Sequence, residues 1–119
     1  MGGDNKDKDR LLLSEFEEIV LLAVFRLRDD AYGVPVRQAV AEATERDTAI
    51  GSVYVTLERL EKKGFVTSKL GEATSERGGR AKRYFHIEGA GVSALNEMED
   101  IRQRLRHGAS LPQAGLQPV

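Results

Sequence analysis

The apolar residues of this chain change their spacing once, at Gly64, and that change restricts the folds open to it. The apolar residues before Gly64 recur at helical spacing: Val53, Leu57 and Leu60. Two segments after it, residues 65–70 and 81–87, are typical of strands, and the residues between them are charged turn residues with two adjacent glycines. The sequence therefore predicts a helix from about residue 51 to 63 that ends at Gly64 and leads into a β-hairpin.

Three further helices are predicted on either side of this unit. The first begins at a capping box, in which Ser14 precedes Glu17 by three residues, and its apolar residues continue to Leu27. A second helix is expected over residues 34–45, since a proline stands in its first turn. The last helix is expected from about residue 89 to 107. Its apolar face consists of Val92, Leu95, Met98, Ile101 and Leu105.

The order of these elements is that of a winged helix-turn-helix. Two helices joined by a tight turn are followed by a two-stranded hairpin, which forms the wing in such proteins. We therefore predict a mainly α fold with a small β-hairpin, in which residues 11–88 form a winged helix-turn-helix domain and residues 89–107 form a C-terminal dimerisation helix. Residues 1–10 are expected to be disordered, and residues 108–119 are expected to form a flexible tail.

The distribution of charge favours a polyanion as the partner of this fold. The net charge of the 119 residues is −1. However, residues 51–87 hold 8 basic and 4 acidic side chains, whereas residues 1–50 hold 7 basic and 11 acidic ones. The local field rather than the total charge decides where nucleic acid docks, so the basic third of the chain is the candidate surface.

Within that third, the predicted helix at residues 51–63 has the width of the DNA major groove. Its candidate DNA-contacting residues are Ser52, Tyr54, Thr56, Arg59 and Lys63. The candidate phosphate- or minor-groove-contacting residues of the hairpin are Arg77, Arg80, Lys82 and Arg83. The Tyr54 side chain has two interpretations, because its hydroxyl could reach a phosphate or its ring could pack beneath the helix.

Other chemistries have little support in the sequence. Gly89 and Gly91 fit the start of a dinucleotide-binding pattern, but the strand-helix-strand unit and the acidic residue that such a site needs are missing. His86 and His107 are the only histidines and there is no cysteine, so a metal site lacks ligands. No plausible nucleophile accompanies either histidine. We expect no cofactor, no metal and no enzymatic activity.

The residues also resemble a known family of transcriptional regulators. Tyr32-Gly33, the run from Gly51 to Val66 (GSVYVTLERLEKKGFV) and the run from Lys82 to Ile87 (KRYFHI) are similar to the PadR family, over roughly residues 12–107. The short length and single C-terminal helix look like its shorter subfamily. This resemblance implies a homodimeric repressor whose first and last helices build the interface. The interface residues that follow from it are Phe16, Val20, Val92, Leu95, Met98, Ile101 and Leu105.

The sequence thus predicts a regulator that binds a near-palindromic site on double-stranded DNA as a homodimer. The alternatives are a winged-helix module that docks proteins without touching DNA, and a sensor that holds an effector at the dimer interface. Some short members of the family bind flat drugs between tryptophans, but this chain has no tryptophan, so no effector is named. The longest apolar cluster is too short to span a bilayer, and a cytoplasmic location is expected.

Overall fold

The order of elements in a computed structural model agrees with the winged helix-turn-helix prediction. The model describes residues 12–72, 81–109 and 111. Its elements are α1 (Glu15–Leu27), a 3-10 turn (Arg28–Asp30), α2 (Gly33–Thr44), α3 (Ile50–Lys62), β1 (Val66–Leu70), β2 (Arg83–Ile87) and α4 (Gly89–Arg106). The residues expected to be a disordered N-terminus, and most of those in the expected tail, lie outside the described part of the chain.

Local hydrogen bonds account for the ends of the helices. Ser14 and Glu17 form the predicted capping box, since the Glu17 N–H donates to Ser14 Oγ at 3.2 Å and the Ser14 N–H donates to Glu17 Oε1 at 2.8 Å. Gly64 adopts φ +82°, so the left-handed stop after α3 is confirmed. The carboxylate of Glu88 does not cap α4; it accepts a hydrogen bond from the Thr67 hydroxyl at 3.2 Å.

The β-hairpin is attached to the helical part of the domain by its second strand. β1 and β2 are antiparallel, with Val66 opposite Ile87 and Leu70 opposite Arg83. The Phe85 side chain is buried, and its backbone N–H donates to the carbonyl of Ala31 at 2.8 Å. The hairpin therefore leaves the domain at a fixed position just before α2 begins. Residues 73–80, where its tip was expected, lie outside the described residues.

One apolar core holds these elements together. It contains residues of all four helices and both strands, among them Val20, Leu21, Val24, Val36, Val40, Val53, Leu57, Leu60, Val66, Phe85 and Ala94. α4 approaches the core through Gly91, whose backbone lies against the carbonyl of Phe65 and the Ile87 side chain. Among the described residues, no helix is long and apolar enough to cross a membrane.

Candidate nucleic-acid interface

The exposed face of α3 is defined by the stripe that the helix buries. Val53, Leu57 and Leu60 are fully buried, so the opposite side of the helix faces outward. The exposed residues on and beside that side are Gly51, Ser52, Val55, Glu58, Arg59 and Lys62. Small and polar groups thus stand in the first turn, and two cations stand beside the carboxylate of Glu58 in the second half. An outward face of this kind can approach a groove closely at one end and meet phosphates at the other.

The prediction that Thr56 faces a ligand is wrong. Its side chain is 5% exposed, and its hydroxyl donates to the carbonyl oxygen of Ser52 at 2.8 Å. Thr56 follows the buried Val53 by three residues and precedes the buried Leu60 by four, so helical spacing places it on the core side. The hydroxyl is satisfied by the helix itself and is not available to read a base.

The expected phosphate contact from Lys63 is replaced by an ion pair within the chain. Its ammonium group donates to both oxygens of Glu17, at 2.9 and 2.8 Å, and the Glu17 side chain is buried. Burial raises the pKa of Glu17, but the hydrogen bonds from Lys63 and Ser14 and the charge of Lys63 outweigh it and lower that pKa overall. Lys63 therefore joins the end of α3 to α1.

Lys62 is the exposed cation that the sequence interpretation missed. It lies on the outward side of α3, whereas Lys63 turns toward α1. The signal was present in the sequence, because a rotation of about 100° per residue from the buried stripe points Lys62, not Lys63, away from the core. Arg59 lies on the same exposed surface as predicted.

Tyr54 packs against the start of α2 while half of its side chain remains exposed. Its ring and hydroxyl occupy the space that a Cβ at position 33 would take, so Gly33 is the residue that admits it. Of the two interpretations of Tyr54, packing of its ring against the domain therefore describes its position. Its neighbour Ser52 is exposed, as predicted.

The exposed cations at the base of the hairpin are held by contacts with the domain. Lys82 Nζ lies 4.5 Å from the centroid of the Tyr32 ring, and that ring meets Tyr84 edge-on at 5.3 Å. Arg83 Nη1 donates to Ser68 Oγ at 3.0 Å, and Ser68 Oγ donates to Glu61 at 2.7 Å. Both cations keep their predicted place on the hairpin surface. Arg77 and Arg80 lie outside the described residues.

The turn between α2 and α3 is fixed by a residue that the sequence interpretation did not select. Arg37 Nε donates to the backbone carbonyl of Thr48 at 2.7 Å. This bond joins the middle of α2 to the connection that precedes α3, and so it helps to set the angle between the two helices. No local pattern in the sequence marks an arginine that bonds a carbonyl eleven residues later.

The predicted dimer residues divide into exposed and buried sets. Val92 and Leu105 of α4 are exposed, whereas Phe16, Leu95 and Met98 are partly buried against the protomer's own core. Ile101 is half-buried. Val20 is 0% exposed, so its assignment to the interface is wrong: it faces the core of its own chain.

An apolar groove lies between α1 and α2. It has a volume of about 540 Å³, and its apolar lining is Ile19, Leu22, Ala23, Phe25, Ala39, Val40 and Ala43. Leu22 and Phe25 are the exposed apolar residues of α1 here, and neither belongs to the interface predicted from the sequence. Within the described residues there is no group of three or more potential metal ligands.

The comparisons with known proteins agree with this architecture. The family model of the transcriptional regulator PadR-like family matches residues 21–97. No curated protein matches the chain. Among solved structures, a PadR family transcriptional regulator from Eggerthella lenta is 25% identical, with a TM-score of 0.59 and coverage of 75% of each chain.

Two more distant structures share the fold. A PadR-like transcription factor from Bacteroides fragilis is 23% identical, with a TM-score of 0.64 over 78% of this chain and 84% of that one. RosR from H. salinarum is 18% identical, with a TM-score of 0.63 over 82% of this chain and 81% of that one. The matched family consists of transcription regulators, so the expectation of a non-enzyme is confirmed. Since the family model covers more than half of its residues, this chain belongs to the PadR-like family of transcriptional regulators.

Proposed function

We propose that this regulator is a sequence-specific repressor that binds a near-palindromic operator as a homodimer. The observation that carries the proposal is the outward face of α3, where Ser52, Arg59 and Lys62 stand opposite a fully buried stripe. A helix of this width enters the major groove, which is about 12 Å wide. The exposed base of the hairpin, with Lys82 and Arg83, then lies beside the same duplex.

The first turn of α3 reads bases in this proposal. Gly51 allows the helix to approach the groove closely, and the Ser52 hydroxyl can donate to or accept from a base edge. The exposed methyl groups of Val55 suit contact with the thymine methyl group. Arg59 and Lys62 meet the phosphates beside the groove, where they add affinity without sequence information.

The hairpin supplies the second set of phosphate contacts. Lys82 and Arg83 are exposed although each is also held by a neighbouring side chain, so their positions are set before DNA arrives. Preorganised cations lose less side-chain entropy on binding than free ones. Arg77 and Arg80 extend this basic segment in the sequence, and we assign them to the adjacent backbone or minor groove.

Dimerisation is supported by apolar residues that the outer helices expose among the residues that the structure describes. α4 exposes Val92 and Leu105, and α1 exposes Leu22 and Phe25. Pairing of these helices with a second copy would bury them and relate two α3 helices by a twofold axis. Their half-sites would then lie about 34 Å apart, one turn of DNA.

The test compares Lys62→Ala with Arg104→Ala and the wild type in a titration of a labelled random-sequence duplex. Lys62→Ala should weaken binding and lower the slope of log affinity against log salt by about 1, because one phosphate contact is lost. Arg104→Ala, which removes an exposed cation of α4, is the matched control and should leave the slope unchanged. Equal slopes for Lys62→Ala and the wild type would contradict the placement of α3 in the groove.

A second candidate function rests on the acidic residues of the same helix. Glu58 and Glu61 are exposed on α3 beside Arg59 and Lys62, so the helix surface alone has no net positive charge. This balance favours a winged-helix module that docks another protein. Retention on a random-DNA column at low salt, followed by elution as salt rises, supports the DNA-binding proposal. Flow-through at low salt supports the protein-docking alternative.

A further inference from the structure

Two adjacent carboxylates of α1 join it to two different helices. Glu17 and Glu18 are both buried, although α1 is otherwise apolar on its core side. Glu17 accepts both hydrogen bonds from Lys63 at the end of α3. Glu18 accepts two hydrogen bonds from the guanidinium of Arg102 on α4. One turn of α1 therefore holds the proposed DNA-reading helix on one side and the proposed dimer helix on the other.

The pair between Glu18 and Arg102 has a particular position along α4. The buried residues of α4 are Gly91 and Ala94, both near its start, and Leu95 and Met98 are the last residues packed against the core cluster. From residue 99 to 106 every side chain is exposed or only half-buried. Within the described part of the chain, Arg102 of this distal half makes a polar contact with α1.

A bidentate contact fixes direction as well as distance. The planar guanidinium matches both carboxylate oxygens, so the Arg102 side chain holds one orientation relative to Glu18. The Glu18 side chain is 9% exposed and the Arg102 side chain 42% exposed, which limits screening by water on the Glu18 side. The hydrogen bond to Glu18 and the charge of Glu18 also raise the pKa of Arg102, so its guanidinium is a cation at neutral pH.

We propose that the Glu18–Arg102 pair is a positioning contact that sets the direction of α4 and thereby the spacing of the two DNA half-sites. This inference rests on the proposed function, in which α4 joins two copies. From Gly91 to Arg106 the helix extends about 22 Å, so a rotation of about 10° moves its far end by about 4 Å. That displacement exceeds the rise of one base pair, about 3.4 Å.

The Glu17–Lys63 pair completes the connection on the other side of α1. Because Lys63 holds the end of α3 against the same turn of α1, a change in the direction of α4 is not absorbed by movement of α3 within the protomer. The half-site spacing that a dimer accepts is therefore set by two ion pairs on neighbouring residues. Neither pair needs to touch DNA to act in this way.

The experiment begins with a duplex that the wild-type protein enriches from a random-sequence pool. One or two base pairs are then inserted or deleted at its centre, and affinities are measured by fluorescence anisotropy. A single insertion turns one half-site by about 35° relative to the other, so the wild type should lose at least about tenfold in affinity. Arg102→Gln and the double variant Glu18→Gln/Arg102→Gln should bind all the spacings within about threefold of one another.

The controls separate positioning from folding. Arg104→Gln removes an exposed cation two residues away, which lies 3.8 Å from Glu97 on the same helix, and should keep the wild-type spacing preference. The charge exchange Glu18→Arg/Arg102→Glu should restore that preference. Circular dichroism and size exclusion verify that each variant is a folded dimer, and affinity for a single half-site should change less than about twofold.

Three results would overturn the inference. In the first, Arg102→Gln keeps the spacing preference of the wild type. In the second, the charge-exchange variant folds but does not restore that preference. In the third, every variant of the pair unfolds, which would show that the contact only stabilises the fold. Failure of the wild type to enrich any duplex would instead refute the proposed function and this inference with it. Retained spacing preference in Arg102→Gln refutes the inference alone.

Discussion

At Gly91, α4 lies close to the residues at the base of the hairpin, and Gly91→Ala tests that approach. A Cβ added at this position would lie 2.8 Å from Ile87 Cγ1 and 3.2 Å from the carbonyl carbon of Phe65, with the oxygen of that carbonyl nearer still. Two of these three atoms belong to backbone, which cannot rotate away as a side chain can. The first turn of α4 must therefore shift away from Phe65, the residue before β1, to admit a methyl group.

The expected cost follows from two opposing effects. Overpacking of a close contact costs about 1–3 kcal/mol, whereas alanine favours a helix over glycine by about 1 kcal/mol. The free energy of unfolding should therefore fall by up to about 2 kcal/mol. Gly89→Ala is the matched control in the same helical turn, because a Cβ there meets nothing within 4 Å. It should leave stability unchanged or raise it by about 0.5 kcal/mol.

Urea and thermal unfolding, each followed by circular dichroism, measure both variants. Each 1 kcal/mol lost by Gly91→Ala should lower the melting temperature by about 4–8 °C, and Gly89→Ala should not lower it. If both substitutions stabilise the protein to the same extent, α4 does not rest against the carbonyl of Phe65. The account of how α4 begins would then be refuted, whatever the protein binds.

Further substitutions test other contacts. Gly64→Ala should cost about 1 kcal/mol in unfolding free energy, through its positive φ alone, since a Cβ there meets nothing within 4 Å. Lys63→Met should cost about 1–3 kcal/mol at pH 7, by leaving a buried carboxylate unpaired. Because the pKa of Glu17 is lowered on folding from 4.5, the wild type keeps this stabilisation above about pH 4.5 and loses it as the pH falls further. In urea titrations, the difference in unfolding free energy between the wild type and Lys63→Met should therefore shrink in acid. Thr56→Val should leave discrimination between selected and random DNA unchanged in anisotropy, whereas Ser52→Ala should reduce it.

The succession of elements could be predicted from the sequence because each depends on neighbours along the chain. The capping box at Ser14 and the left-handed stop at Gly64 are local signals, and both hold in the structure. The change of apolar spacing after Gly64 marks the hairpin for the same reason. These features need no information about which helix lies beside which.

The outward face of α3 was predicted only in part, because the predicted contact residues do not all lie opposite the buried stripe of the helix. Ser52 and Arg59 are exposed as expected, but Thr56 lies on the buried side and Lys62 on the open side. A consistent 100° step from Val53, Leu57 and Leu60 separates these residues correctly. Val20 is a different kind of error: apolar residues of α1 occur on nearly all sides, so spacing alone does not distinguish its core face from its exposed face.

The ion-pair partners of the two buried carboxylates of α1 could not be predicted from neighbouring residues in the sequence. The spacing from Ser14 marks Glu17 as part of a cap, whereas the sequence around Glu18 is that of any acid in the first turn of a helix, where the helix dipole favours negative charge. Their partners lie 46 and 84 residues further along the chain. A buried carboxylate is costly without a partner, so its burial implies a cation, but the choice among eighteen lysines and arginines depends on tertiary packing. Once the helices are placed, the cations that lie against α1 decide the pairing. The same two pairs then connect α3 and α4 through α1.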